Sequence, residues 1–430
     1  MAANSPTAGS GPGLKRVLTL PALVLYGIIL IQPTAPMPLF GAAAEKAQGH
    51  VVTVILIGMV AMLFTAVSYG RMANVYPSAG SAYAYVSREI HPAAGYFVGW
   101  GMIFDYVMNP IICVIWCSKA AANFLPLPFA VWATFFALLF TILNLQGVKT
   151  SARTNAAIAI GLVFVIVLFL VAAFRYLAGM TLDAATLWRP FYDPATFSWD
   201  KVSTGTSLAV LTYIGFDGIS TLSEEAKNPR RNILLATVLV CLFTGIVGSL
   251  LVYLGQLIWP DWSSYPDVDT AFVHVAGRAG GPVLFAILNL SLLIANVGSG
   301  MGAHLGASRL LYGMGRDDAI PRGFFGVLNP RTHVPSNNVV LVGVLALAGA
   351  FIAFMGVNLS ALIHYWWRAE RKTVLNLLPP LLGFLICGYL WWSLSWPARI
   401  AGFAWLATGI AYGAWKTQGF KKPIEFKEVD

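Results

Sequence analysis

The chain has 430 residues, of which 58% are hydrophobic and only 10% are charged, and its mean hydropathy is +0.72. A water-soluble domain keeps about a quarter of its residues charged, so this composition excludes a soluble fold. The formal charge of +9 comes largely from Lys and Arg in the loops between apolar runs. It therefore reports membrane orientation and does not indicate nucleic-acid binding.

Apolar runs near the roughly 20 residues that a bilayer-crossing helix needs recur along the chain, so we predict an all-α polytopic membrane protein in contact with a lipid bilayer. Residues 1–13 are polar and are predicted to form a disordered tail. Lys and Arg collect on one side, which predicts a cytoplasmic N-terminus in the plasma (bacterial inner) membrane. The predicted spans lie near 17–40, 51–69, 92–118, 126–146, 155–178, 203–222, 233–258, 281–312, 339–367, 374–394 and 397–415.

Two of these spans are predicted to be interrupted. Pro33, Pro36 and Pro38 lie in the first span, where a regular helix would need their missing amide hydrogens. In the sixth span Gly215 and Gly218 flank an acidic residue, and glycine leaves helical geometry at low cost. An ordinary proline kink and a glycine packing seam are the simpler alternative.

Unwound backbone persists in a membrane only where it lines a cavity. Breaks five spans apart are typical of an inverted repeat of five helices with substrate bound between them. We therefore predict a substrate site from both breaks and one further acid: Ile31, Gln32, Pro33, Thr34, Ala35, Asp105, Tyr213, Ile214, Gly215, Phe216 and Asp217.

Of the 18 acidic residues, Asp105 and Asp217 fall well inside apolar runs. An ionisable group there is expensive and usually functional. Asp217 is predicted to bind a protonated amine, a proton or Na⁺; the alternative is a structural cap on freed backbone amides. Asn296 and Ser299 in the eighth span are candidate ligands of the coupling ion, together with Asp217. The glycine spacing around them is also typical of close helix packing.

No catalytic or metal-binding pattern is present in the sequence. The four cysteines lack paired spacing, and His304 stands apart from the other histidines in the spans. We therefore predict no catalytic residue, no metal and no cofactor. An intramembrane hydrolase is the alternative from another class, and the lack of converging acid, base or metal ligands disfavours it.

Three stretches resemble the amino acid, polyamine and organocation permease superfamily. They are Tyr69 to Tyr85, which contains a Pro-Ser-Ala-Gly-Ser-Ala-Tyr run; Gly147 to Asn155; and Gly215 to Arg230. Around Gly27 to Pro33 and Phe104 to Tyr106 the chain looks most like putrescine-importer-type bacterial members. The resemblance implies the 5+5 inverted-repeat fold of leucine-transporter (LeuT) type, alternating access, and a ligand held by helices 1 and 6.

On that basis the chain divides into a first repeat at 14–178, a second repeat at 179–372, two C-terminal helices at 373–415 and a cytoplasmic tail at 416–430. Two departures from the family pattern matter. The first break reads Gln32 to Pro36 without the usual glycines, which favours a substrate recognised by its ammonium group. The run 339–367 supplies one span where the family has two, giving eleven spans where twelve are usual.

These observations favour cation-coupled import of an amino acid or polyamine, with H⁺ or Na⁺ as the coupling ion. The shortened second repeat leaves a transport-impaired sensor or scaffold as the alternative.

Overall fold

The computed structural model describes residues 18–76, 81–145, 152–223, 226–316, 320–329, 335–342, 374–392 and 396–416. These residues form helices, and the extended pairing among them is one parallel bridge between Leu18 and Ala226. The prediction of an all-α protein is confirmed. The helices are α1 Leu20–Ile31, α2 Pro36–Lys46, α3 Val51–Val75, α4 Ser81–Glu89, α5 Pro92–Ala122, α6 Phe129–Leu145, α7 Ala152–Ala178, α8 Ala184–Trp188, α9 Trp199–Ala209, α10 Pro229–Ile258, α11 Ala271–Arg316, α12 Arg322–Phe325, α13 Ser336–Val342, α14 Val374–Trp392 and α15 Trp396–Lys416.

The first span is broken as predicted. Helix α1 ends at Ile31, Gln32 adopts a positive φ of 65°, and α2 begins at Pro36. Because Pro33 has no amide hydrogen, the carbonyl of Ile29 loses the donor that a continuous helix would provide. The amides of Ala35 and Met37 bond within the turn, to the carbonyls of Gln32 and Thr34.

The sixth span is broken at the predicted glycine. Helix α9 passes into a 3₁₀ turn at Val210–Tyr213, and a second 3₁₀ segment follows at Phe216–Leu222. Between them Ile214 is extended, with ψ near 130°, and Gly215 has a φ of 118°. A side chain strongly disfavours that backbone conformation, so glycine is required here.

The long helices pack in pairs at glycine contacts. Helix α10 lies along α3, where Gly70 meets the backbone of Leu234 and Gly245 meets Met59. Helix α11 lies along α5 and is itself interrupted at Gly281, with φ 75°. Small residues let helix backbones approach closely, which is the usual basis of helix association in membranes.

The outer faces are apolar. Along α7, Ile160, Phe164, Val167, Val171 and Phe174 are all at least half exposed. Water would penalise such a stripe, whereas lipid accepts it.

In the described part of the chain, four helices are long and apolar enough to cross a membrane: Val51–Val75, Ile160–Ala178, Pro229–Ile258 and Ala271–Met301. Shorter apolar helices occur at Ile112–Ala122, Val131–Leu145 and Leu377–Ile386. The predicted total of eleven spans stays a prediction, as does the inverted repeat. Most of the shortened 339–367 run lies outside the described residues.

Candidate functional site

The first break is tied to α11 by a side chain of the break itself. The amide Nε2 of Gln32 donates to the carbonyl oxygen of Ala295 at 3.1 Å. Thr34 is buried at 1% exposure, and Pro36 packs against Gly248 of α10. The unwound turn is therefore enclosed by protein, which is the environment that exposed backbone requires in a membrane.

The second break holds the acidic residue. The backbone amide of Gly218 donates to the carbonyl of Gly215 at 3.1 Å, which closes the turn around Asp217. The carbonyl of Asp217 accepts from the hydroxyl of Ser220 at 2.6 Å. Whether Asp217 binds a ligand or serves as a structural cap stays a prediction. A carboxylate has about four acceptor positions, so this residue has the capacity to accept hydrogen bonds from a cationic ligand.

Aromatic residues fix the second break against its neighbours. The hydroxyl of Tyr213 donates to the carbonyl of Ile55 on α3 at 2.9 Å, in a fully buried position. The ring of Phe216 meets that of Tyr69 edge to face at 5.5 Å, and Tyr69 in turn meets Tyr85. These contacts hold the second break against α3 and α4, and the 3₁₀ segment that contains Asp217 also contacts α1 and α10.

The two broken helices contact each other directly. At Gly27 of α1 a Cβ would lie 2.5 Å from the Ile219 side chain in the second 3₁₀ segment. Where α1 begins, the Leu18 carbonyl accepts from the amide of Lys227 at 2.7 Å, beside the bridge to Ala226. Both breaks therefore belong to one packed unit.

A polar contact that the sequence analysis missed joins α5 to α11. The hydroxyl of Ser299 donates to Oδ1 of Asn109 at 3.4 Å, and the thiol of Cys113 donates to the same oxygen at 3.1 Å. Asn109 precedes Pro110 within an apolar run, and a polar residue in that setting was the available signal. Since Ser299 follows Ala295 by one helical turn, one face of α11 meets both Gln32 and Asn109.

The predicted site residues are therefore only partly assembled. Gln32 contacts α11 at Ala295, next to Asn296 and one helical turn before Ser299, while Tyr213 to Asp217 form the second break. Asn296 donates its amide to its own helix, at the carbonyl of Leu292. The described contacts do not join Asp217 to Asn296 or Ser299. The side chain of Asp105 lies outside the described part of the structure, so its role stays a prediction.

Interrupted helices enclosed in an apolar bundle with a lipid-facing surface define a multi-pass membrane protein of the carrier type. The chain belongs to the amino acid permease family, whose model matches residues 39–419.

Its relatives with assigned activities are transporters. The chain is 33% identical to the low-affinity putrescine importer PlaP of Escherichia coli over 97% of both chains. It is 27% identical to the branched-chain amino acid permease BcaP of Lactococcus lactis, over 95% of this chain and 96% of that one. It is 28% identical to the vacuolar cationic amino acid transporter 4 of Arabidopsis thaliana, over 85% of this chain and 64% of that one. The protein is a transporter of this family and not an enzyme, as the sequence predicted.

Proposed function

We propose that this permease imports a small amine, either a polyamine such as putrescine or an amino acid, by alternating access coupled to H⁺ or Na⁺. The observation that carries the proposal is the pair of helix breaks at Gln32 to Ala35 and Ile214 to Gly215 in one packed unit. Polar backbone in a bilayer costs several kcal/mol per unsatisfied group, so its retention twice in one bundle calls for a ligand.

The chemistry of the breaks favours recognition through an ammonium group. The first break contains Pro33 and Pro36, which cannot donate hydrogen bonds to a substrate carboxylate. The second break contributes the carboxylate of Asp217, an acceptor of opposite charge to an ammonium. The 33% identity to a putrescine importer over nearly the whole chain supports the same substrate class.

The coupling ion is proposed to bind near Asp217 or near Asn296 and Ser299. Asn296 follows Ala295, the residue that accepts from Gln32, and its amide nitrogen bonds to its own helix. Ser299 lies one helical turn after Ala295. Hydroxyl and amide oxygens are the ligands that a hard cation prefers. The proposed location is the plasma membrane with the N-terminus in the cytoplasm.

The test is uptake of labelled putrescine and labelled amino acids into proteoliposomes that contain the full-length protein, under an imposed H⁺ or Na⁺ gradient. Accumulation above that of protein-free vesicles is expected. If none of these substrates accumulates under either gradient, the import proposal fails. Binding of substrate to the same sample without flux would instead favour the sensor alternative.

Asp217→Asn tests the assigned acid. The variant keeps the size of the side chain and one acceptor oxygen but removes the charge, so the fold is expected to survive. Losing a charged hydrogen bond of about 1.5–3 kcal/mol should weaken substrate affinity roughly 10- to 100-fold. Asp105→Asn serves as the matched variant and should cost less. Equal small losses in both would show that neither carboxylate contacts substrate.

Substitution of Gln32 and Thr34 should also change specificity if the first break lines the pocket.

A further inference from the structure

A cleft of about 380 Å³ lies at the end of the bundle opposite the Leu18–Ala226 bridge. It is formed where the turn between α2 and α3 meets residues 189–196 and the end of α10. Helix α10 begins beside that bridge and reaches the cleft at Gln256, 27 residues further on, so about 40 Å of helix separates the two ends. The first helix break lies closer than that bridge: Pro36 packs against Gly248, eight residues and about 12 Å of helix before Gln256. The residues that line the cleft are nevertheless distinct from those of both breaks.

The floor of this cleft contains a buried acceptor. Gln256 is 4% exposed and donates its amide nitrogen to the carbonyl of Gly49. Its oxygen, Oε1, is buried and has no hydrogen-bond partner in the described part of the protein. A buried acceptor without a donor costs about 1–3 kcal/mol, so a ligand that brings a donor is favoured there.

The basic groups of the cleft are engaged already. Arg189 pairs with Asp193 at 2.8 Å. The guanidinium of Arg278 lies over the ring of Trp259, 5.0 Å from its centroid, and its Nε donates to the hydroxyl of Tyr176. Arg189 also lies close enough to Asp261 to act on its charge, so the cleft contains two arginines and two aspartates.

The carboxylate of Asp261, which lines the cleft, is a potential acceptor for a cationic ligand. Asp261 accepts from the amide and the hydroxyl of Ser263 through one oxygen, Oδ1. These two donors hold the pKa of the Asp261 carboxyl below its usual range, so the group is ionised at neutral pH. The indole of Trp262 lines the same cleft, and aromatic faces attract ammonium groups.

We propose that this cleft binds the primary ammonium group of a small amine, with Gln256 Oε1 and the Asp261 carboxylate as acceptors and Trp262 as the apolar wall. The proposal rests on the proposed function, because it makes the cleft the first stop of the same substrate before the helix breaks. With the N-terminus in the cytoplasm, the cleft faces the outside, where the substrate arrives.

The experiment uses a cysteine at Ser264, an exposed position in the cleft, in the full-length protein. Methanethiosulfonate reagents that carry an ammonium or a sulfonate group report the local charge preference through their reaction rates. The matched control is Ala185→Cys on α8, which is exposed but does not line the cleft. The described native cysteines are buried, and the unsubstituted chain supplies the background rate.

The ammonium reagent is expected to react preferentially at Ser264→Cys. Putrescine should slow that reaction by a factor of 1 + [L]/Kd, about tenfold at a concentration ten times Kd, and should leave Ala185→Cys unaffected. Butyrate, which has a carboxylate and no ammonium, should not protect. A zwitterionic amino acid is then tested in place of putrescine, because either a polyamine or an amino acid could supply the ammonium group. Protection by either compound supports the site, and protection by neither overturns it.

Two variants separate this site from the central one. Asp217→Asn should weaken the apparent affinity for uptake roughly 10- to 100-fold and leave the protection at Ser264→Cys intact. Gln256→Met combined with Asp261→Asn should remove the protection. Loss of protection in Asp217→Asn, or its persistence in the double variant, would overturn the proposal. If protection follows the expected pattern while proteoliposomes accumulate no substrate, the cleft stands and the import function fails instead.

Discussion

The replacement of Gly41 by alanine tests how tightly the second half of the broken first span is held. Gly41 lies on α2, and a Cβ at that position would be 2.0 Å from the carbonyl oxygen of Val268 and 2.6 Å from Cβ of Ala271. The contact to Val268 would have to lengthen by more than about 1 Å to reach van der Waals distance. Because the obstacle is backbone, no side-chain rotation can relieve it.

The expected cost follows from two opposing terms. Overpacking of this kind costs about 1–3 kcal/mol, whereas alanine gains roughly 0.8–1 kcal/mol over glycine within a helix. A backbone clash belongs at the upper end of the first range, so the free energy of unfolding should fall by about 1–2 kcal/mol, a factor of roughly 5–30 in the unfolding equilibrium. Gly161→Ala is the matched control, since nothing lies within 4 Å of a Cβ there.

The free energies of unfolding of the two variants should therefore differ in opposite directions from that of the parent chain. Unfolding in mixed detergent micelles, followed by size-exclusion chromatography after heating, gives the comparison. Gly41→Ala should be less stable than the parent chain, and Gly161→Ala should match or exceed it. If Gly41→Ala proves as stable as Gly161→Ala, the close approach of α2 to the loop before α11 is wrong.

Two further substitutions test a buried hydrogen bond at the second helix break and the ion pairs between α5 and the loop before α11. Tyr213→Phe removes the buried hydroxyl bond to Ile55 and should cost about 1 kcal/mol of stability and lower uptake, whereas Tyr253→Phe, whose hydroxyl bond to Leu187 is exposed and 3.3 Å long, should cost less than about 0.5 kcal/mol. Equal effects in thermal unfolding would contradict the anchoring role of Tyr213. Lys119→Met removes ion pairs of 3.1 and 3.3 Å to Asp267 and Asp269; since these groups are about a third exposed, the loss should be at most about 1 kcal/mol and should shrink in high salt. Lys46→Met, which removes a more exposed contact of 3.7 Å to Glu45, is the control, and a salt-independent loss at Lys119 would argue against an ionic contribution.

The helix breaks were predictable because the residues that cause them are local. Proline lacks an amide hydrogen wherever it stands, and Gly215 adopts a backbone angle that other residues avoid. The acid in the second break was equally visible as a charge inside an apolar run. The hydrogen bonds around this acid, from Gly218 to the carbonyl of Gly215 and from Ser220 to the carbonyl of Asp217, depend on how the break is shaped, and no spacing in the sequence specifies that shape.

The contacts between distant segments were not predictable in the same way. Asn109 and Ser299 are 190 positions apart, and their contact depends on the packing of α5 along α11. The cleft draws on two loop segments near residues 48 and 190 and on two helices at residues 256 and 278, and no sequence motif links them. A buried glutamine such as Gln256 near the end of an apolar helix was a visible signal, but only the fold shows that its oxygen lacks a donor.

The pairing of Leu18 with Ala226 and Lys227 is made by peptide groups alone. Proline at 227 would delete the donor of this pairing. Ala226 is fully buried, so a larger side chain there would have to displace its neighbours. The pairing joins the start of α1 to the segment that follows the second helix break. A tilt of α1 during transport would therefore pull directly on the other interrupted helix.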